Sequence, residues 1–446
     1  MEKLHRPRFN AMQTLTLGFA VIILVGGLLL SLPFATKSSI PLPFLDALFT
    51  ATSATCVTGL ALYDTFTTFT WFGQAVMLCL IQIGGLGFMT VSILVAFLLG
   101  KRIGLHQRSI LMDAVGSLSL AGVVHLTRMA LICTGVIEGV GTVLLAFWFV
   151  PQFGLWQGLW HSLFHAVSAY CNAGFDLMGI VSAGSSLTTV YDQVYLNLVI
   201  MALIIAGGLG FLVWNDLLSN RFAWKNLRLH SKIVLSATGI LLLGGTVAFY
   251  LLEYNQAFAG YGLGTQWLMA AFQSVSPRTA GFNTVDLNTL SPAGMLLTLV
   301  LMFIGADSAS TGGGLKVNTI AILLLSTVAQ LRRKRDITIF HRRLDLDSLN
   351  KAYSTAMLYS LCCILGTMVL TLNGYSLVDS LFEAISAMGT VGLTLGITPS
   401  LPLASKLAVM AMMFIGRVGS VSVAMAMTND KPQPKIRYLK EQILIG

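Results

Sequence analysis

The chain contains little charge for its length. Asp, Glu, Lys and Arg together make up 10% of its 446 residues, whereas a soluble domain carries about 25%. Apolar runs dominate the rest of the sequence, and the mean hydropathy is +0.80. Most of these runs reach the roughly 18 to 20 apolar residues that are needed to cross a bilayer. The scarcity of charge therefore excludes an ordinary soluble domain and predicts a membrane protein with several spans.

Motifs of enzymes and of metal centres are missing from the sequence. The chain has no HExxH or GxSxG motif and no cluster of His, Asp and Glu. His161 and His165 are spaced to share a metal ion, but without a third ligand nearby a packing role is favoured. Free, buried thiols are expected for the six cysteines, Cys56, Cys79, Cys133, Cys171, Cys362 and Cys363. We therefore expect neither an enzyme nor an organic cofactor.

The positive charges are concentrated in a few segments. Of the 27 Lys and Arg residues, 22 fall at the N-terminus, in the segments 101–128, 221–232 and 332–351, or after Met427. The loops between these segments hold mainly Asp and Glu. This asymmetry predicts that both termini and the basic segments are cytoplasmic. The net charge of +9 then reflects the orientation of the chain in a lipid bilayer, so no nucleic-acid partner is expected. A cleaved signal peptide is not expected either.

One pattern occurs four times, at intervals of about 110 residues. It reads LFTATSATCVTGL, LFHAVSAYCNAGF, AFQSVSPRTAGF and LFEAISAMGTVGL, and it closes on Gly59, Gly174, Gly281 and Gly392. Each copy has the form F-x-x-x-S followed by a turn, and each lies between two apolar helices. The segments are too short to span a bilayer, and irregular backbone at that depth must be buried or line water.

Four re-entrant segments satisfy this condition together if they meet around one axis. Each half-helix would then direct its partially negative C-terminus towards the centre, which favours a cation there. The predicted fold is an all-α integral membrane protein with four M1–P-loop–M2 repeats in a pseudo-fourfold arrangement around a central ion pore. The alternative is that the segments are loops that cap a helical bundle. The predicted units are residues 1–100, 101–220, 221–340 and 341–430, followed by a cytoplasmic tail at 431–446.

The second, inner helix of each repeat carries a shorter mark. It reads IGGLGF, AGGLGF, IGADSA and IGRVGS, within inner helices that we expect at about 72–99, 195–218, 292–331 and 401–427. Close helix packing through small residues is the favoured interpretation of the first two copies.

The third and fourth copies carry unusual residues. After Gly305 the third inner helix is interrupted by a segment with three consecutive glycines, each of which weakens a helix by about 1 kcal/mol. The fourth places Arg417 in an apolar helix, at a cost of about 2.5 to 3.5 kcal/mol. We expect Arg417 to contact the carbonyls of the interrupted segment, with Asp307 as a second candidate partner.

These motifs resemble those of a known family. The four turns VTGL, CNAGF, RTAGFN and TVGL, the interrupted segment GADSASTGGGLKV and the motif FIGRVG are similar to those of the Ktr/Trk/HKT potassium transporters. The resemblance covers nearly the whole chain, and the length with eight spans is most similar to the KtrB-type membrane subunits.

The resemblance implies that backbone carbonyls of the four turns form a potassium selectivity filter. The implied filter residues are Cys56, Val57, Thr58, Gly59, Cys171, Asn172, Ala173, Gly174, Arg278, Thr279, Ala280, Gly281, Gly389, Thr390, Val391 and Gly392. Gly59 would favour potassium, because family members with a serine at this position favour sodium. The implied gate residues are Gly305, Ala306, Asp307, Ser308, Ala309, Ser310, Thr311, Gly312, Gly313, Gly314, Lys316 and Arg417.

The resemblance also implies a physiological setting. The chain would take up K⁺ across the plasma or inner membrane, with Na⁺ as a stimulating or second ion. It would form a homodimer on a cytoplasmic ring of nucleotide-binding RCK/KTN-type regulatory subunits, with the tail Lys431–Gly446 docked at the subunit interface. Two other functions stay open, namely a different Na⁺ or K⁺ transporter of the superfamily and a secondary transporter for a small solute.

Three positions depart from the family pattern. Cys171 stands where relatives usually have a polar residue such as asparagine, and Ser420-Val421 stand where a Pro-Leu pair is usual. Asp307 stands where a glycine is common, and it would either pin the gate or add a cation site. Arg278, beside the third turn, is expected to point away from it and to pair with an outer acid such as Asp286.

Overall fold

The computed structural model describes residues 11–38, 40–87, 123–334 and 336–427. Within these residues the regular elements are helices, apart from one short hairpin between Thr338–Ile339 and Arg342–Arg343. The order outer helix, short helix, inner helix occurs four times. Part of the basic segment 101–128 and the whole predicted tail 431–446 lie outside the described residues.

The outer helices are long and apolar enough to cross a membrane. Their bounds are Ala11–Leu30, Val123–Phe153, Leu229–Glu253 and Leu346–Leu372. They expose large apolar side chains such as Val21, Phe147 and Leu243, as expected for helix faces in contact with lipid. The chain is a multi-pass membrane protein, as its composition predicts.

The short helices correspond to the four copies of the repeated pattern. Their bounds are Phe44–Thr55, Leu155–Tyr170, Leu263–Val275 and Leu377–Gly389. The longest has 16 residues, which is fewer than a span requires. Each one ends where the glycine-containing turn begins, and we call them the re-entrant helices.

Each inner helix ends at its repeated mark, and in repeats 2, 3 and 4 the structure describes a second helix after it. The described segments are Trp71–Leu86, Val194–Gly208 with Phe211–Ser219, Pro292–Phe303 with Val317–Leu331, and Leu403–Val418 with Ser420–Met427. The two helices of the second repeat, Val194–Gly208 and Phe211–Ser219, are bent by 92° relative to each other. The prediction of continuous inner helices over 195–218 and 401–427 was therefore wrong. The glycine in the fifth position of the mark explains the breaks. Gly87, Gly210 and Gly419 have φ of +82°, +85° and +98°, a backbone that ends a helix and favours glycine.

The four repeats contact one another in cyclic order. The inner helix of each repeat packs against the re-entrant helix of the next repeat, and that of repeat 4 packs against the re-entrant helix of repeat 1. Polar contacts also join neighbouring repeats. Gly184 N donates to Asp64 Oδ2 at 3.0 Å, and Lys406 Nζ donates to Asp46 Oδ1 at 2.6 Å. This packing encloses the re-entrant helices within the inner helices and brings their C-terminal turns together.

All six cysteines are free, as expected, but their burial differs from the prediction. Cys56, Cys171 and Cys363 are buried, whereas Cys79 is exposed on the outward face of the first inner helix. Cysteine tolerates such an apolar surface because it behaves as a small hydrophobic residue.

Candidate functional site

The re-entrant helices bury the same two side chains in every repeat. The phenylalanine and the serine of F-x-x-x-S are fully buried each time. They are Phe49 and Ser53, Phe164 and Ser168, Phe272 and Ser276, and Phe382 and Ser386. The phenylalanine fixes the helix in the apolar core, and the serine brings a hydroxyl group to the turn that follows it.

The backbone of each turn alternates between right-handed and left-handed conformations. The second and fourth residues have positive φ in every repeat. The values are +56° and +92° at Val57 and Gly59, +57° and +71° at Asn172 and Gly174, +76° and +79° at Thr279 and Gly281, and +50° and +89° at Thr390 and Gly392. Alternation of right- and left-handed residues points successive N–H groups to one side of the chain, which leaves the carbonyls to face the other side. Positive φ is costly for a β-branched residue such as Val57, and such strain is found mainly at functional sites.

The glycines of the four turns touch in a closed cycle. A methyl group added to Gly59 would meet Ala173 O at 2.6 Å, one on Gly174 would meet Ala280 O at 2.9 Å, one on Gly281 would meet Val391 O at 2.5 Å, and one on Gly392 would collide with Thr58 O. Each turn therefore places a carbonyl against the glycine of its neighbour. The structure brings all four predicted turns together, and no side chain fits between them at these positions.

The buried serines brace the turns in two different ways. In repeats 1 and 4 the glycine N–H donates to the serine, from Gly59 to Ser53 and from Gly392 to Ser386, both at 3.1 Å. In repeats 2 and 3 the hydroxyl donates to the carbonyl after the glycine. Ser168 binds Phe175 O and Ser276 binds Phe282 O, both at 2.5 Å.

The interrupted segment of the third inner helix lies against repeat 2. Asp307 N donates to Gly208 O at 3.1 Å, and Ala309 O accepts from Phe211 N at 2.8 Å. These groups are the backbone ends left open by the break in the second inner helix. The two interruptions satisfy each other, as backbone buried in a membrane requires. We call residues Gly305–Lys316 the intramembrane loop.

The glycines of the intramembrane loop lie directly beneath the turns. Gly313 N donates to Thr390 Oγ1 at 3.0 Å, and a methyl group on Gly312 would collide with Thr279 Oγ1. Lys316 bends back over the loop, and its Nζ donates to Gly312 O at 2.7 Å and to Gly313 O at 3.3 Å. The glycine triplet is needed because larger residues could not approach the turns this closely.

Arg417 joins the intramembrane loop to two other repeats. Its guanidinium donates to Thr311 O in the loop and to Gly84 O at the end of the first inner helix, and it reaches Gly85 O at 3.0 Å. Carbonyls at a helix C-terminus carry partial negative charge, so they suit a guanidinium. Arg417 thus contacts the loop carbonyls as expected. It does not contact Asp307, which pairs elsewhere.

A cavity of about 260 Å³ borders the loop beside the inner-helix breaks. Gly312, Lys316, Tyr359 and Arg417 line it, together with Gly87 and Gly419 at two of the breaks. The rest of its lining is mainly apolar, so the two cationic side chains border a space of mixed polarity.

Arg278 does not pair with Asp286. Its side chain is buried, and Nη2 donates to Thr238 Oγ1 on the third outer helix at 3.3 Å. Asp286 instead accepts from Asn288 N at 3.0 Å. The expected outer ion pair was wrong because the third turn directs Arg278 behind the re-entrant helix, towards the outer helix of its own repeat.

His161 and His165 serve packing, the favoured interpretation of the sequence. Their rings stack on each other with centroids 6.0 Å apart, and the ring of His165 also stacks on Phe149 at 4.8 Å. His165 Nε2 accepts from Leu177 N at 3.3 Å and so supports the chain just after the second turn. No group of three or more metal-ligating side chains occurs within the described residues.

A polar network behind the second turn was not predicted. Glu138, in the middle of the second outer helix, accepts from Gln82 Nε2 at 3.1 Å. The thiol of Cys171 lies 3.7 Å from Glu138 Oε1. An acid inside an apolar helix was the available signal, but its two partners come from two other segments that are distant in sequence.

The chain matches the family model described as "TrkH: Cation transport protein" over residues 6–438. The chain belongs to this family. It is a transport protein of the KtrB type within the Trk superfamily, not an enzyme.

Similar proteins agree with this assignment. The chain is 41% identical to the potassium/sodium uptake protein NtpJ of Enterococcus hirae, with 100% of this chain and 99% of that protein covered. It is 40% identical to the Ktr system potassium uptake protein B of Bacillus subtilis, with 98% and 97% covered. The crystal structure of the potassium transporter TrkH from Vibrio parahaemolyticus has a TM-score of 0.76 at 18% identity and covers 96% of this chain and 86% of that one. That structure supports the fold.

Proposed function

We propose that this chain is the ion-translocating subunit of a potassium uptake system, built as four repeats in pseudo-fourfold arrangement around a central pore. The observation that carries the proposal is the closed cycle of contacts among Gly59, Gly174, Gly281 and Gly392. Support also comes from the relatives named as potassium uptake proteins.

The proposed filter works through backbone oxygens. A potassium ion entering the pore loses water, and rings of carbonyls from the four turns replace its hydration shell. The alternation in φ supports this role because it directs carbonyls to one side in each repeat. The four turns differ in sequence and in their serine contacts, so the ring departs from strict fourfold symmetry and its selectivity should be less strict than that of a symmetric tetramer.

The intramembrane loop is the proposed gate. It lies against Thr279 and Thr390 of the turns, and Arg417 holds it to the first inner helix. In this position the loop obstructs the path below the turns. Opening would require the loop to leave Arg417 and the backbone groups of the second inner helix.

Several features of the transport system remain part of the proposal. We propose a homodimer in the plasma or inner membrane with cytoplasmic termini, regulated by a cytoplasmic ring of nucleotide-binding subunits. The "Ktr system" names of similar proteins support a multi-component transporter. Stimulation by sodium, or sodium as a second cargo, is supported by the potassium/sodium name of the Enterococcus hirae relative.

The test is uptake in a strain that lacks its own potassium transport. The wild-type chain, expressed with its cytoplasmic partners, should restore growth at low external potassium. Gly59→Ser should lower the preference for potassium over sodium by about tenfold, because the new Cβ must displace the carbonyl of Ala173 and one tenfold step corresponds to only about 1.4 kcal/mol.

The ion measurements separate the candidate functions. Potassium and sodium fluxes are measured side by side for both proteins at equal membrane abundance. Failure of the wild-type chain to move either ion would refute the transport proposal. Equal selectivity of the wild type and Gly59→Ser would refute the filter assignment.

A further inference from the structure

One carboxylate of the intramembrane loop is bound in a small polar ring. Asp307 is 1% exposed, and its Oδ1 accepts from Asn318 Nδ2 at 2.8 Å. His230 Nε2 lies 3.2 Å from the other oxygen, Oδ2. The third side of the ring joins Asn318 Nδ2 to His230 Nδ1 at 3.1 Å.

The contacts of Asn318 determine which atom of His230 carries the proton. An amide NH₂ group has two hydrogens, and here they face Asp307 Oδ1 and His230 Nδ1. Nδ1 must then accept, so the neutral ring carries its hydrogen on Nε2, opposite Asp307 Oδ2. The approach of Nε2 and Oδ2 is at ion-pair distance but lacks the alignment of a full hydrogen bond. A small shift would complete it.

The three residues come from three elements that meet at one end of the loop. Asp307 is in the intramembrane loop, His230 is the second residue of the third outer helix, and Asn318 is the second residue of Val317–Leu331. His230 is 31% exposed while Asp307 is buried. His230 lies within the basic segment 221–232, which the charge pattern predicts to be cytoplasmic. The ring therefore links the buried loop to a residue that can be reached from outside the protein.

Other charges near Asp307 do not replace this ring. Lys316 and Arg278 lie close enough to sense the carboxylate. The hydrogen bonds of Lys316 go to loop carbonyls, and that of Arg278 goes to Thr238. Arg417 holds the opposite side of the loop through Thr311. Among the described residues, His230 and Asn318 are the side chains that tie the carboxylate of Asp307 to neighbouring helices.

We propose that Asp307, His230 and Asn318 form a latch that holds the intramembrane loop closed against the cytoplasmic start of the third outer helix. The inference rests on the proposed gate function of the loop. In this role His230 and Asn318 are positioning residues that act through Asp307 and do not contact the ion. Displacing His230 from the cytoplasmic side would leave the carboxylate held by Asn318 alone and so weaken the hold on the loop.

The test measures potassium and sodium fluxes into proteoliposomes that contain the purified full-length chain. His230→Ala should raise potassium flux about tenfold, because the carboxylate of Asp307 loses its close contact with His230 Nε2. Asp307→Asn should raise it to a similar extent. The double variant should show no further increase, because both changes open the same latch.

Two further variants distinguish a latch from general loosening of the fold. His230→Gln can still accept from Asn318 and donate to Asp307, so it should keep flux near the wild-type value. His341→Ala removes an exposed histidine of the hairpin connection and serves as the matched control. The ratio of potassium to sodium flux should stay unchanged in all variants, because the turns are not altered.

The outcomes separate the two proposals. Wild-type flux in both His230→Ala and Asp307→Asn, with normal potassium selectivity, would overturn the latch while leaving the transport function intact. Additive effects of the two changes would also overturn it. Absence of flux in the wild-type chain would instead overturn the proposed function.

Discussion

The turns and the inner-helix breaks show two different outcomes of the same repeat. The four turns keep one backbone conformation, with positive φ at the same two positions and glycine contacts that close into a cycle. Within the described residues the four inner helices all end at the same mark, but their exposed backbone groups find different partners. The proposed filter needs similar carbonyls from every side, whereas helix ends need only have their own backbone groups satisfied.

The breaks differ because their exposed backbone groups find different partners. The carbonyls of the first break bind Arg417, and the groups of the second break bind the intramembrane loop. In repeats 1, 2 and 4 a glycine closes the mark, but Ser308 stands there in repeat 3, where the helix gives way to the intramembrane loop. The repeated part of the protein therefore forms the turns, and the divergent part joins the repeats beneath them.

Substitution within the ring should have the largest effect. Gly392→Ala is expected to reduce potassium uptake at least about a hundredfold, because its methyl group would displace Thr58 O and lie 2.9 Å from Gly59 Cα, and a hundredfold loss needs only about 2.7 kcal/mol. Uptake is measured at equal membrane abundance.

Gly396→Ala is the matched control for this change. Gly396 has a φ of +98°, but an added methyl group there meets nothing within 4 Å. It shares the backbone strain without the contact with a neighbouring turn. Similar losses in both variants would show that strain rather than the closed cycle explains the effect.

Deletion of the loop should have the next largest effect, with opposite sign. Removing Ser308–Gly314 is expected to raise potassium flux about tenfold, because the segment beneath the turns and its contact with Arg417 are lost together. Flux is followed in proteoliposomes, with Ser308→Ala as a control that keeps the loop. Unchanged flux after the deletion would show that the loop does not block the pathway.

Loss of a serine hydrogen bond should have the smallest effect, and the effect should differ between the two kinds of hydrogen bond. Ser53→Ala leaves the N–H of Gly59 without its acceptor, whereas Ser168→Ala leaves the carbonyl of Phe175 without its donor. An unsatisfied polar group costs about 1 to 3 kcal/mol, and proteins tolerate an orphaned N–H less often than an under-satisfied carbonyl. Ser53→Ala should therefore reduce potassium selectivity more than Ser168→Ala.

The two serine variants are compared through potassium and sodium uptake. Ser405→Ala is the control, since this buried hydroxyl has no hydrogen-bond partner among the described residues. Equal effects of Ser53→Ala and Ser168→Ala would show that the two bracing modes are equivalent.

The sequence predicted the repeated elements well because their signals are local. The spacing of phenylalanine, serine and glycine identified each re-entrant helix and its turn, and the glycine triplet identified the loop. The closing glycines Gly210 and Gly419 were misread as parts of continuous helices. Small residues predict either close packing or a break, and here they do both, since Gly207 and Gly416 pack against the ends of re-entrant helices.

The partners of the buried charges could not be predicted. Arg278 was expected to meet Asp286 and instead binds Thr238, and Asp307 was a candidate for Arg417 but binds Asn318 and lies beside His230. A charge in an apolar segment signals that a partner exists. It does not say which of several polar groups lies within reach.

By itself, the sequence determined that the chain crosses a membrane, that it repeats one unit four times, and where irregular backbone must be buried. Those features depend on composition and on spacings within one repeat. Only the tertiary structure decided which groups meet across repeats, as when Arg417 reaches Gly84, 333 residues away in the chain. The reason is that hydropathy acts along each segment, whereas hydrogen bonds of a few ångströms depend on how all four repeats pack together.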